Sequence, residues 1–201
     1  MPQFTYQPMF QNYPIQANPD LNQGCRTDIL TRLLQLMTSM NAAHCKVLFI
    51  RFDVRFPQNY FPPSDNSIFQ RFFENFIRHL QRDNLDPHYL WVREQSWEKH
   101  QHYHIVLLLD GNKTQSIYGH LKLAESLWSR ALGLSDAAGL ICYCTESRDG
   151  TTQTNGLMLK RDDPGFQNTF STCVEWGSYL AKTNTKGNAP ARVREWGGTQ
   201  R

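Results

Sequence analysis

The amino-acid sequence predicts an α+β fold of the split-βαβ type, a ferredoxin-like (RRM-like) antiparallel sheet with helices on one face and the last helix near the other. Three observations carry this expectation. Helical and strand-like periods alternate in the order α-β-α-β-β-α-β-(β)-α, with βαββαβ at the centre. Only a short polar stretch separates the second and third strands, as a hairpin requires. The chain, with 201 residues of which 40% are hydrophobic, suits one domain with a single core and an extension.

Residues 1–24 carry no charge before Asp20 and are rich in Gln, Asn, Pro and Tyr. That composition predicts a disordered or loosely docked arm, with the folded domain over 25–201. From Asp28 the apolar residues Ile29, Leu30, Leu33, Leu34, Met37 and Met40 recur at helical spacing. Residues 46–56 (KVLFIRFDVRF) alternate and are β-branched and aromatic, a strand that Pro57 ends. Pro62, Pro63, Ser64 and Asp65 form a turn and cap. The helix after it places Phe69, Phe72, Phe73, Phe76, Ile77 and Leu80 on one face. Strands follow over 88–95 and 101–109, then a turn at Asp110, Gly111 and Asn112. Ile117, Leu121, Ala124, Trp128 and Ala131 mark a third helix ending near Gly133. Residues 139–145 predict a fourth strand and 156–160 a short extra one. Phe166, Phe170, Cys173, Gly177 and Leu180 line the inner face of a last helix.

Composition narrows the class. No apolar run is long enough to cross a bilayer, and the N-terminus lacks a basic start followed by an apolar stretch, so a cytoplasmic protein is expected. Five scattered cysteines without a C-x-x-C pair predict reduced, mostly buried thiols; Cys142 and Cys144 alone are too few for a zinc site. The formal charge is +3, with Lys182, Lys186, Arg192, Arg194 and Arg201 set against Glu195 near the end. Such a strip suits either DNA phosphates or a solvated tail.

The chemistry concentrates in His102-Tyr103-His104. Strand side chains alternate, so the two imidazoles project side by side from one face and can chelate a divalent ion. With an odd number of residues in the hairpin loop, Glu94 opposes one of them and completes a two-histidine, one-carboxylate set. His100 lies on the same alternation and is the alternative third ligand. Downstream, Tyr179 and Lys182 are three residues apart, on one helical face opposite the Phe170/Cys173/Gly177 stripe. Arg51, Asp53 and Arg55 share one strand face, where the arginines can hold phosphates and Asp53 can support a metal shell.

A histidine–hydrophobic–histidine strand followed by Y-x-x-K on a later helix resembles the HUH superfamily of replication initiators and relaxases. WVREQ at 91–95, HYHIVLLLDG at 102–111, YLAKTNTKGNAP at 179–190 and VREWGG at 193–198 are similar to the YagK/YfjJ C-terminal domain family, which groups with inovirus gene II-type replication proteins. The similarity covers about residues 28–201.

The resemblance implies an HUH palm that nicks DNA. Tyr179 attacks the scissile phosphate of single-stranded or hairpin origin DNA, giving a 5′-phosphotyrosine adduct and a 3′-OH primer. Lys182 assists the phenol. Mn²⁺ or Mg²⁺, held by His102, His104 and Glu94, polarises the phosphate. Arg51, Arg55, Lys186, Arg192 and Arg194 contact the DNA. Host helicase and polymerase are the expected partners, in the cytoplasm of a bacterial cell and without a membrane. Tyr118 and Tyr143 are the alternative nucleophiles. A single-tyrosine transposase, a relaxase and a non-catalytic DNA-binding regulator are the neighbouring readings on the same fold. An iron(II) oxygenase shares the ligand types but uses a different sheet architecture.

Overall fold

A computed structural model describes residues 2–95, 100–146, 150–183 and 189–200. Among the described residues, four helices and five principal strands follow one another in the expected order, α1 (Thr27–Ala43), β1 (Lys46–Arg55), α2 (Ser67–Arg82), β2 (His88–Glu94), β3 (His102–Asp110), α3 (Tyr118–Leu132), β4 (Ile141–Cys142), β5 (Leu157–Lys160) and α4 (Phe166–Gly177), and a strand that the sequence pattern does not predict, β6 (Trp196–Gly198), comes last. The sheet order is β6-β2-β3-β1-β4, with β5 also on the outer edge of β1, and every pairing is antiparallel.

Alternation along β1 and β3 divides the side chains between two cores. Leu48, Ile50, Phe52, Val54, Tyr103, Ile105 and Leu107 pack under α2 and α3. The aromatic positions of α2 fall on the sheet side because they recur at helical period. Phe69 stacks on Tyr103 with ring centroids 3.7 Å apart, and Phe76 meets Phe52 edge-on at 6.0 Å. The Tyr103 hydroxyl donates to Asn66 Oδ1 at 3.0 Å, so this buried phenol has its polar end satisfied. Helix α3 stops at Gly133, whose φ of +70° is the left-handed cap that glycine adopts without strain.

The other face departs from expectation. Rather than leaving it to the tyrosine segment alone, the fold lays both α1 and α4 across it. Val47, Phe49, Leu90, Val92, Val106 and Leu108 join Leu30, Leu33, Met37, Phe170 and Val174 in a second buried cluster. The reason lies in the strand sequences, which are apolar on both sides over most of their length and need cover twice. Polar residues occupy this face at its two ends: Glu94, His102, His104, Arg51, Asp53 and Arg55 gather at one, and His88 and Asp110 stand at the other.

Residues 2–24 also differ from the expected arm. Phe4–Thr5 pairs with Cys25–Arg26, and Met9–Phe10 with Tyr13–Pro14. Ile15 is buried in the α1/α4 core, and the Tyr13 ring lies 5.2 Å from that of Phe170. A few apolar residues among many amides suffice because they pack onto the core that α1 and α4 share, which composition does not register.

The fourth strand is shorter than predicted. It pairs only through Asp53↔Cys142 and Val54↔Ile141, then leaves the sheet at Cys144, whose φ is +50°. Asn155 fills the gap: its side-chain oxygen accepts from Arg51 N at 3.1 Å, and its amide donates to Arg51 O at 2.6 Å and to Tyr143 O. Among the described residues, no helix is long and apolar enough to cross a membrane.

Candidate metal and tyrosine site

Strands β2 and β3 pair in the register Glu94↔His102 and Val92↔His104, while the other edge of β3 pairs Asp53↔His104. Cross-strand neighbours share a face, so one carboxylate stands on each side of the histidine strand. Glu94 Oε2 lies 3.2 Å from His104 Nε2 and 3.5 Å from His102 Nε2. One ligand atom from each of these residues falls within 4.8 Å of the others. His104 and Glu94 are buried, and His102 is half-buried at the rim.

Asp53 completes the set from behind. A carboxylate only accepts, so the 2.6 Å contact with His104 Nδ1 is a donated N–H. That leaves Nε2 as the nitrogen facing Glu94. It is shut off from solvent and makes no hydrogen bond. A buried ring nitrogen without a hydrogen bond, flanked by a carboxylate and a second imidazole, fits a divalent cation, and the Asp53–His104 contact is the carboxylate–histidine support that metal ligands recurrently have. Burial would raise the Asp53 carboxyl, but the charge and hydrogen bond of His104, then Arg51 and Arg55, bring it below its ordinary value. Burial would lower His104, and Asp53 followed by Glu94 raises it. A proton and a metal ion are thus alternatives at the same nitrogen.

The last helix arrives differently from the expected geometry. Helix α4 ends at Gly177, and Ser178–Ala181 continues as a 3₁₀ turn that Lys182 leaves with ψ 142°. Changing pitch rotates Tyr179 away from the face predicted for it, so it is half-buried against the sheet rather than directed opposite the core stripe. Its ring meets that of His104 edge-on, 5.0 Å between centroids. Lys182 stays close, Nζ 5.3 Å from the ring centroid, because residues three apart eclipse in a 3₁₀ turn. Gly177 allows the close fit against α1: a Cβ there would stand 2.9 Å from Leu33.

Arg51 departs furthest from its expected place as a phosphate contact. Its guanidinium lies 4.0 Å from the Tyr179 ring centroid and 5.8 Å from that of Trp176, and the residue is buried. It is therefore a partner of the phenol before it is a contact for phosphate. Arg55 is exposed at the strand end, its guanidinium 3.6 Å from Asp53. Arg192 and Arg194 are exposed on the approach to β6. The register Trp196↔Val92 carries that approach towards the sheet end that holds Glu94. Lys186 lies outside the described residues. His100 is not the third ligand: its Nε2 is 3.0 Å from the Gln58 carbonyl oxygen, whereas Glu94 stands with the histidines. Tyr118 is exposed and pairs with Tyr143 at 6.2 Å, and Tyr143 packs against the α2/α3 core.

Sequence reasoning missed the buttress behind Tyr179. Ser178 Oγ accepts from Gln16 N at 2.8 Å and donates to Glu175 O at 2.6 Å. Lys182 bridges to Cys25, and Thr183 N donates to Gly24 O at 3.0 Å. The N-terminal segment therefore clamps the turn that bears the tyrosine, a relation between distant stretches that no local pattern signals. Beside Asp53, the Cys144 thiol hydrogen-bonds to Cys142. This draws Cys142 down to about 6, and the same contact together with burial raises Cys144.

An α+β domain whose antiparallel sheet ends in an imidazole–carboxylate cluster, with a tyrosine on a terminal turn beside it, is the class these features define. The chain belongs to the YagK/YfjJ C-terminal domain family, whose model matches residues 8–198. The match takes in most of the N-terminal segment, which extends the likeness upstream of residue 28. Among solved structures, the catalytic domain of the adeno-associated virus type 5 Rep protein is similar at 10% identity and a TM-score of 0.38, over 57% of this chain and 75% of that one. No curated protein matches the chain.

Proposed function

We propose that the chain is a single-tyrosine HUH endonuclease, a replication initiator of phage or plasmid type akin to inovirus gene II proteins, that nicks single-stranded or hairpin origin DNA. The observation that carries this reading is the Tyr179 ring set 5.0 Å from the His104 ring, beside a group able to hold a cation. Glu94, His102 and His104 would hold Mn²⁺ or Mg²⁺, which when bound supplies Lewis-acid polarisation of a phosphate oxygen.

The chain's own residues do the rest. A free tyrosine phenol has a pKa of about 10, so little phenolate forms at neutral pH without help. Arg51 over the ring and Lys182 one turn on stabilise its deprotonated form, so proton loss costs less near the cluster. The Tyr179 oxygen attacks phosphorus, the P–O3′ bond breaks, and the leaving 3′ oxygen takes up a proton to become a 3′-OH. The phosphate remains esterified to tyrosine on the 5′ side, and reversal of the step by a 3′-OH rejoins DNA. Asp53 holds His104 in the tautomer that leaves Nε2 available. Arg55, Arg192, Arg194 and Lys186 carry the strand by its phosphates, which orients it without reading sequence. Host helicase and polymerase would use the exposed 3′-OH in the bacterial cytoplasm.

The test is a denaturing gel of the full chain incubated with Mn²⁺ and single-stranded oligonucleotides tiling the DNA around its gene. Oligonucleotides labelled at the 3′ end should shift into a protein adduct; those labelled at the 5′ end should shorten to a polymerase-extendable product. An adduct that persists in Tyr179→Phe removes Tyr179 from the role. Binding of the same oligonucleotides with no cleavage favours a DNA-binding regulator on this fold. Rejoining of the product to an unrelated end without replication favours a transposase.

A further inference from the structure

We propose that Asp53, Cys142 and Cys144 form a second cation site, selective for a thiophilic divalent ion such as Zn²⁺ and distinct from the Glu94–His102–His104 group. The inference stands on its own residues and does not depend on the nicking reading. One carboxylate oxygen and the two sulfurs lie within 4.8 Å of one another. Asp53 and Cys144 are buried, and Cys142 is half-buried, leaving a side from which an ion can enter.

The local fold builds this trio. The antiparallel register Asp53↔Cys142 sets the first thiol beside the carboxylate on one face of the sheet. In a continuing strand Cys144 would move on along the edge. Instead its φ of +50°, a left-handed conformation that a side chain other than glycine rarely adopts, turns it back. The Asn155 side-chain amide donates to the Tyr143 carbonyl between the two cysteines and to Arg51 O, and its oxygen accepts from Arg51 N, so the turn is pinned to β1. The fixed element is thus the backbone that presents the ligands.

Donor chemistry separates the two groups of ligands. Two imidazoles with a carboxylate suit a harder ion, whereas two thiolates with a carboxylate suit zinc, with Zn–S bonds of about 2.3 Å and a fourth position open to water. The trio must close somewhat around such an ion, and the partly exposed Cys142 is the member with room to move. Ligation releases one proton from each thiol, so Zn²⁺ and two thiols give a zinc dithiolate and two protons. Asp53 belongs to both assemblies, as a ligand here and as the acceptor from His104 there.

Cobalt(II) is the probe. The full reduced chain, titrated with Co²⁺, should develop one equivalent of thiolate-to-cobalt charge-transfer absorption in the near ultraviolet that Zn²⁺ displaces. The band should survive in His102→Ala/His104→Ala and vanish in Cys142→Ser/Cys144→Ser, with Cys45→Ser unchanged. Absence of the band in the wild-type chain, or its persistence in Cys142→Ser/Cys144→Ser, overturns the proposal. A variant-free measurement guards against misfolding: Zn²⁺ should slow alkylation of Cys142 by about tenfold or more while leaving Cys45 unaffected. Unchanged labelling of Cys142 also overturns it. A chain that fails to nick DNA yet keeps the cobalt band loses the nicking reading and keeps this site.

Discussion

Two ends of one sheet face carry similar side chains and do different things with them. At one end His102, His104, Glu94 and Asp53 stand on β1, β2 and β3; at the other, His44, His88, Asp86 and Asp110 stand where the same strands begin or finish. In the second group the His44 ring bridges two separate carboxylates, Nε2 to Asp86 at 2.9 Å and Nδ1 to Asp110 at 3.5 Å, while His88 Nε2 faces the other oxygen of Asp86 at 3.7 Å. The ring nitrogens diverge, as struts do. In the first group His104 spends Nδ1 on Asp53 and turns Nε2 towards Glu94, where His102 also points. Convergence on a point, with a phenol alongside, separates a site from a brace. Residue type alone does not.

The largest test of that contrast is removal of the phenol. Tyr179→Phe should abolish covalent adduct, a loss of at least ~10³-fold in strand cleavage, because no neighbouring group replaces a missing nucleophile. The denaturing gel reads it directly. His102→Ala/His104→Ala should give a similar loss and should also erase any Mn²⁺-induced rise in melting temperature. His44→Ala/His88→Ala should keep that rise from a lower starting stability. Equal behaviour of the two pairs would erase the distinction between the ends.

A smaller effect sharpens the role of the supporting carboxylate. Asp53→Asn keeps the shape but accepts less strongly from His104 Nδ1, and should weaken Mn²⁺ binding about 10–100-fold by titration calorimetry. Arg51→Gln should lower the cleavage rate about tenfold with little change in Mn²⁺ affinity, since the guanidinium lies on the tyrosine and not on the ligands. Smallest is Asp110→Ala at the bracing end. The carboxylate accepts from Asn112 N at 3.0 Å and Asn112 Nδ2 at 2.8 Å, so its loss should cost about 1–3 kcal/mol in urea unfolding while leaving Mn²⁺ affinity intact.

Much of this was readable from local pattern. Strand alternation put His102 and His104 on one face, and an odd-numbered connection would put Glu94 opposite one of them; the register makes that one His102. The helical recurrence of Phe69, Phe72, Phe73 and Phe76 located α2 in the same way. Less was readable at the tyrosine. Its spacing in the chain suggested a helix face opposite the core, but the pitch change after Gly177 decides where Tyr179 points. The N-terminal segment was misjudged because composition averages over its few apolar residues, whereas α1 and α4 need only Ile15, Tyr13 and their neighbours to hold it. Asn155 carried no signal, being one polar loop residue among several.

By itself, then, the order of residues determined the strands, the two hairpin partners and the pair of imidazoles, since these are set by spacing along a chain of fixed geometry. Tertiary structure alone decided that Asp53 would back His104, that Arg51 would lie on Tyr179, and that Gln16 and Gly24 would brace the turn from 150 residues or more away. Such contacts depend on which surfaces are left uncovered once both cores have formed. No local spacing encodes that remainder.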